Sequence, residues 1–388
     1  MGVLSQIRTD RLIGRLLSED NVNSSTSNEI VGKLRREPAS AITALFARLD
    51  QAPDDEFRNI VAGLYRLLND DTLEYYIDAL RSGHARKVRA VAKILGSSGR
   101  FNPNRLIPLI ADADIPKSTL IKSLSEHQKR LNPELLLRYA TQLETAEHHA
   151  LFKVIGNIAQ PSIVPRLLNR TTAADPSIRA HVTELLARFP STQTARALEE
   201  RLADENRSVR MAAIEGLANA GIQPNIATLG RLLKDPDLAI QSRAIDAIIR
   251  LKHPDTINHL LPILQDESEY VRRAGVEVLN EIADASLISN LLTAMRDEDW
   301  WVRERAADAL SRIGGPRVVE SMLELIKSDD EYIRRTAIEV INASRDPRAY
   351  DHLIAALADE DWWVKERAVD ALAALGAEQR RTASAARA

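Results

Sequence analysis

The chain has 388 residues, more than one hydrophobic core of ordinary size encloses. Apolar residues make up 45 % of it and aromatics 4 %, so Ala and Leu fill the interior, which suits close-packed helices better than sheets. Charged residues make up 28 % and nearly cancel at a net −3, which argues against a chain built to coat nucleic acid or an anionic membrane, and the absence of Cys excludes disulfides, thiolate metal sites and thiol catalysis.

Arg8, Asp10 and Arg11 stand where a secretory leader needs an apolar core. The start Met1-Gly2-Val3-Leu4-Ser5-Gln6 lacks the Ser or Thr that myristoylation needs at the sixth position. No stretch is long and apolar enough to span a membrane. Together with the lack of Cys, these features give the expectation of a cytoplasmic protein.

A repeat organises the chain. Its first part, 1–176, holds divergent units anchored at Thr26, Phe57, Val88, Thr119 and Glu147. The steps are 31 residues, except for 28 between Thr119 and Glu147. The second part, 177–376, is regular, with anchors at Ile178, Val209, Ile240, Val271, Val302, Ile333 and Val364, again 31 residues apart. DEDWWVRERAADAL from Asp297 returns as DEDWWVKERAVDAL from Asp359, and the related segments from Asp266 and Asp329 alternate with them. The count is about twelve units, the last four in an AB pattern of 62 residues.

Each unit reads as two helices. In that of Val271, Ile257, Leu260, Leu261 and Leu264 share one face of a first helix, and Pro254 precedes it in a phase shared by Pro161, Pro316 and Pro347. Asp204, Asp235, Asp266, Asp297 and Asp359 stand five residues before their anchors and are expected to cap the second helices, with Pro236 in the first helical position and Asp266 and Glu269 as a capping box. On the second helix Val302, Ala306, Ala307, Ala309, Leu310 and Ile313 span one apolar arc. The residue four after each anchor is small, from Ala213 and Ala244 through Gly275, Ala306 and Ala337 to Ala368, so helices can approach closely. One pair cannot bury its own apolar face, whereas stacked pairs can, so the fold class is an all-α solenoid, a superhelix of two-helix units.

The turn Asp, the anchor, the Arg after it and the Ala and Leu that follow resemble the short bacterial HEAT-like repeat, also called the phycobilisome-lyase repeat, most closely from Ala195 to Gly376. The resemblance implies an α-solenoid whose second helices line the concave side. It also implies a scaffold or binding subunit. A minority of such proteins help attach bilins to antenna proteins, and distant relatives include DNA glycosylases.

Three rows of residues run along the regular units. Arg179, Arg210, Arg272, Arg303 and Arg334 follow their anchors, with Lys365 after them and Gln241 as a gap; within the apolar arc such cations need carboxylates, which the turn Asp residues supply as a ladder, weaker at Gln241. Glu184, Glu215, Asp246, Glu277, Asp308, Glu339 and Asp370 sit six after the anchor, opposite the apolar arc. This row is either a solvated face or a groove for a basic ligand. Arg243, Arg305 and Arg367 lie three residues before its acids, and Arg273 and Arg335 four before. Tyr270, Trp301, Tyr332 and Trp363 precede four consecutive anchors, with Arg305 and Arg367 in stacking reach of the two Trp residues. They either form an interface hot spot or pack on the next unit's turn.

Catalysis finds little support: the eight His residues form no metal spacing, His148 and His149 diverge by about 100° on a helix, and there is no phosphate-binding Gly loop or nucleophile elbow. No cofactor is expected. The last unit stays close to consensus and offers Val369, Leu372 and Leu375 without a following unit, so this end either docks on a partner or a second copy, or was cut from a longer polypeptide. The Ala/Arg-rich segment 377–388 is expected to be disordered.

The expected function is a non-catalytic protein-interaction scaffold. It binds a protein partner, for instance a basic segment, on the concave face through Tyr270, Trp301, Arg305, Tyr332, Trp363 and Arg367 with Glu277, Asp308, Glu339 and Asp370. The alternatives are a bilin-lyase-like or chaperone-like subunit, a nucleic-acid binder, which the acidic row opposes, and a regulatory module of a longer chain.

Overall fold

The computed structural model describes residues 3–140, 143, 145–219 and 224–385. Helices make up 76 % of the described residues, and no strand occurs among them. The chain divides into two compact units, Met1–Leu185 and Leu186–Ala388. Each is a stack of six helix pairs, so the architecture is the all-α solenoid of twelve repeats that the spacing predicts.

Every anchor falls in the first turn or so of a second helix, from Thr26 in Ser25–Leu34 and Val88 in Ala85–Ser97 to Ile333 in Glu331–Ser344 and Val364 in Trp362–Ala385. In the regular repeats the second helices Leu238–Leu251, Glu269–Ile282, Trp300–Ile313 and Glu331–Ser344 are each 14 residues long and unbroken. Most first helices of these repeats are instead split into a short 3₁₀ turn and a short α segment, as in Pro347–Ala349 followed by Tyr350–Ala356. Proline and Asx side chains at their starts tighten the first turn: Asp346 accepts from the Arg348 amide, and Pro347 brings no amide of its own. The 28-residue step is absorbed in the fourth repeat. Its second helix, Lys117–Ser125, has nine residues, and the 3₁₀ turn Gln128–Arg130 follows it. His127 plugs the place, its Nε2 2.6 Å from the Leu95 carbonyl oxygen and its ring edge-on to Phe101.

The caps differ from the sequence expectation. The residue three before the anchor is the N-cap: Asp237, Asp299, Asp330 and Asp361 each accept an amide of the first turn of their helices. The Asp five before the anchor is two residues earlier. Asp235, Asp266, Asp297 and Asp359 accept the amide two residues on and shape the loop as Asx turns. Pro236 therefore lies in the loop before Leu238–Leu251, and Ser268, not Asp266, is the N-cap of Glu269–Ile282. The second helices end on left-handed residues, Lys252, Ala283 and Arg345, and on Gly314 with φ 58°.

The small residues four after the anchor are needed. Ala213, Ala244, Ala306, Ala337 and Ala368 are fully buried, and a Cβ on Gly275 would stand 2.9 Å from Ile263 Cγ2. The second helices of the C-terminal unit consequently pack directly against one another along the stack and against their own first helices. The last helix, Trp362–Ala385, extends into the segment 377–388, of which 386–388 lie outside the described residues.

Candidate partner-binding face of the C-terminal repeats

The Arg row is built into the stack. Arg272 donates from Nη1 to the Asp266 and Glu267 carbonyl oxygens of its own loop, at 2.8 and 3.2 Å, and from Nε and Nη2 to the Asp297 carboxylate of the next repeat, at 2.9 and 3.0 Å. Arg334 repeats this on Ser328, Asp329 and Asp359, and Arg210 on Asp204, Glu205 and Asp235. Each guanidinium thus satisfies loop carbonyls and ties two repeats together. The hydrogen bonds to Asp297 and Asp359 push the Arg272 and Arg334 guanidiniums above their ordinary values, and the bond from Arg334 holds the Asp359 carboxyl below its own.

Two rungs depart from this. Gln241 keeps one loop bond, Nε2 to the Asp235 carbonyl at 2.7 Å, but brings no charge, and Lys234 takes Asp266 instead. Arg303 keeps both loop bonds, to Asp297 and Glu298 at 2.9 Å, but its next-repeat position is Ser328. Its guanidinium lies over the Tyr332 ring at 4.4 Å.

The acids six after the anchor are less open than their position on the helix suggests. Glu184, Glu215, Asp246 and Asp370 are exposed, whereas Glu277, Asp308 and Glu339 are half-buried, and burial raises the Glu339 carboxyl. Arg305 bridges Asp308 on its own helix, at 2.9 Å, and Glu277 on the preceding one, at 3.3 Å. Arg367 bridges Glu339 and Asp370 at 3.0 and 3.7 Å, and Arg243 bridges Glu215 and Asp246 at 3.6 and 4.0 Å. Arg273 and Arg335 do not serve this row. They reach the N-caps Asp299 and Asp361 of the next repeat, and the Arg273 bond pulls the Asp299 carboxyl down. The AB alternation is therefore physical: bridging Arg residues in the repeats of Ile240, Val302 and Val364, cap-binding Arg residues in those of Val271 and Ile333.

The aromatic row is mixed. Tyr270 is 52 % and Trp363 48 % exposed, while Trp301 and Tyr332 are half-buried. Arg305 lies over Trp301 at 4.5 Å, as its spacing predicts. Over Trp363 lies Arg335 of the preceding repeat, at 5.8 Å, instead of Arg367, and Arg273 lies over Tyr270 at 5.4 Å. The neighbouring Trp300 and Trp362 are exposed and edge-on to Trp301 and Trp363. All four Trp residues of the chain thus belong to this unit.

At the last repeat Leu375 is 2 % exposed and faces the repeat's own core, Leu372 is half-buried and Val369 is 55 % exposed. Of these three residues only Val369 is open, and Tyr350 and Ile354 of the preceding helix and Leu357 at its end are exposed as well. The equivalent positions one repeat earlier, among them Val319, Ile326 and Ile338, are buried. Sequence reasoning missed this stripe, although its spacing of four and three residues was the signal.

Among the described residues no three His, Asp or Glu are placed to hold a metal ion. His148 is buried with Nδ1 3.7 Å from Asp175, and His149 turns toward His181, as divergent neighbours on one helix do. Among the described residues no helix is long and apolar enough to cross a membrane.

No protein in a curated set of sequences matches the chain. Among solved structures, an engineered protein is 18 % identical, with 95 % of this chain and 98 % of that one covered and a TM-score of 0.33. The karyopherin Kap121p bound to the extreme C-terminus of the phosphatase Cdc14p is 13 % identical over 96 % of this chain and 50 % of its own, with a TM-score of 0.48. The complex of CpcE and CpcF of phycocyanin lyase from Nostoc is 17 % identical over 55 % of this chain and 94 % of its own, with a TM-score of 0.31. At these scores the likenesses carry no argument about function. The profile of HEAT repeats matches residues 133–218, 195–274, 257–342 and 319–386, well over half of the sequence. On that match, and with a stack of six helix pairs in each unit behind it, the chain belongs to the HEAT-repeat family.

Proposed function

We propose that the protein is a non-catalytic, cytoplasmic interaction scaffold whose C-terminal unit binds a basic segment of a protein partner along its second helices, between Tyr270 and Asp370. The observation that supports this most is the Arg-backed aromatic row. Tyr270 and Trp363 present large rings to solvent, each held from one side by a guanidinium of its own or the preceding repeat. Rings pre-positioned in this way lose little freedom on binding, and Trp, Tyr and Arg are the residues that dominate interface energetics.

The charge of the face favours a basic partner. Each of Arg243, Arg305 and Arg367 is shared by two carboxylates, so every bridged trio keeps one uncompensated negative charge. Half-burial of Glu277, Asp308 and Glu339 strengthens their field, because less water screens it. The close packing of successive second helices supports placing this row on the inner side of the stack, where a groove would form.

The test is capture of a partner by the full chain and by two variants, Trp362→Ala with Trp363→Ala, and Glu277→Lys with Asp308→Lys and Glu339→Lys. Loss with both variants, at unchanged helicity, supports the reading. A partner held equally by all three proteins overturns it.

A further inference from the structure

The register that builds the Arg ladder in the regular repeats leaves cations unpaired near the N-terminus. Arg58 and Arg89 directly follow the anchors Phe57 and Val88, as Arg210 and Arg272 follow theirs. The ladder carboxylate should lie 25 residues further on, as Asp235 does from Arg210. For Arg58 that position is Gly83; for Arg89 it is Asp114, which the guanidinium does not reach, Nε bonding to the Ala85 carbonyl at 3.2 Å instead. The acidic row is also gone, because the positions six after these anchors are Gly63 and Ile94. Arg58, Arg89 and Lys93 are exposed and make no ion pair among the described residues.

These cations rim a groove of about 690 Å³ between the second helices Asp54–Leu67 and Ala85–Ser97. Its floor is apolar, formed by Val61, Ala62, Ala90 and Ile94 with the half-buried Tyr65. Arg66 also lines the groove. It donates to the Val22 carbonyl and the Asn23 side chain, but its Nη1 is buried with no acceptor. Asp54 is the acid among the lining residues, and Arg86 pairs with it at 3.7 Å. Beyond Lys93 a second hollow carries the positive edge on to Lys122, opposite Glu126.

We infer that this groove is a second binding site, for an acidic peptide segment of a partner protein that seats apolar side chains between the two helices and carboxylates on Arg58, Arg89 and Lys93. The floor decides between peptide and nucleic acid. Single strands bind by stacking bases on open aromatic faces. Here the Phe57 ring is already covered by the Arg86 guanidinium at 4.6 Å, and the rest of the floor is largely aliphatic. Apolar side chains fit that floor, and the exposed unpaired cations call for carboxylates. The site is independent of the C-terminal face and of opposite charge.

The experiment is fluorescence anisotropy on the full chain with a set of short labelled peptides. They run from net negative to net positive, each with and without Leu and Phe, and a thymidine oligonucleotide is included. The acidic peptides with Leu and Phe are expected to bind most tightly and to weaken as salt rises. Arg58→Glu with Arg89→Glu and Lys93→Glu should weaken them at least about tenfold, with Arg58→Gln, Arg89→Gln and Lys93→Gln intermediate, because each exposed cation contributes to the encounter and the pairing. All three side chains are exposed, so circular dichroism should not change. The Glu277, Asp308 and Glu339 variant should bind these peptides as the parent does. Failure of the acidic apolar peptides to bind, equal binding by the charge-reversed chain, or tighter binding of the oligonucleotide overturns the inference.

Discussion

Arg303 stacks on Tyr332, 4.4 Å from the ring centroid, in the one repeat junction of this run where Ser328 replaces the Asp that the neighbouring guanidiniums bind. The ring occupies the place of a salt bridge. Tyr332 gains a second hold through its hydroxyl, which donates to Glu304 at 3.3 Å.

Restoring the carboxylate should therefore strengthen the junction. Ser328→Asp places an acid where Arg272 and Arg334 find theirs, and its Oδ can also accept the Asp330 amide that Ser328 Oγ now accepts at 3.3 Å. The expected gain is about 1 kcal/mol, that of a charge-assisted hydrogen bond less the lost ring contact. Urea denaturation measures it; a destabilised variant would mean that the loop cannot adopt the Asx turn there.

The Arg334–Asp359 rung should show in the pH dependence of stability. Asp359 titrates below the ordinary carboxylate value because Arg334 donates to it. A lowered folded value means stability that is present above the unfolded value, about 3.9, and lost as pH falls through the lower folded value. Asp359→Asn should cost about 2 kcal/mol at neutral pH. The difference from the parent should hold down to about pH 5 and shrink below about pH 4. A constant difference across that range would show that the charge does not matter.

The Trp residues should separate binding from folding. Trp363→Ala removes a half-exposed ring and should cost at least about 2 kcal/mol of partner binding while stability moves by less than about 0.5 kcal/mol. Trp301→Ala removes a ring packed under Arg305 and should reduce both, with about 1 kcal/mol lost from stability through the cation–π contact alone. Isothermal titration with the captured partner and thermal denaturation give the two numbers. Equal stability losses for the two variants would contradict the difference in exposure.

The final repeat makes a similar separation. Leu375→Ala cuts a core side chain and should cost about 2–5 kcal/mol. Val369→Asp changes a side chain that is 55 % exposed in the last repeat, where Tyr350, Ile354 and Leu357 are exposed too, and should leave unfolding nearly unchanged while abolishing self-association or docking at this end. Analytical ultracentrifugation across concentration, with and without the partner, reads this out. If neither the association of the parent nor partner capture depends on Val369, that face has no binding role.

The repeat, its two helices and its apolar arc were legible in the sequence because they depend on spacing along one helix. A residue three or four places from an anchor shares its face whatever the neighbours are. The Arg row could be assigned to the turn carboxylates for the same reason, since the two recur in one register along the regular units, with Gln241 and Ser328 as the breaks. Three things depended on the tertiary structure. Which Asp caps the second helix was decided by where the loop turns, so that Asp299 caps and Asp297 takes the preceding Arg272. Which acid each Arg meets was decided by packing. A guanidinium on a long side chain can reach carboxylates on its own helix and on both neighbours, and only the distance between helices sends Arg273 to Asp299 and Arg305 to Glu277. Exposure was decided last, because a helix wheel knows nothing of the next repeat: Trp301 is half-covered while Trp363 is open, and Leu375 turns inward while Val369 faces out.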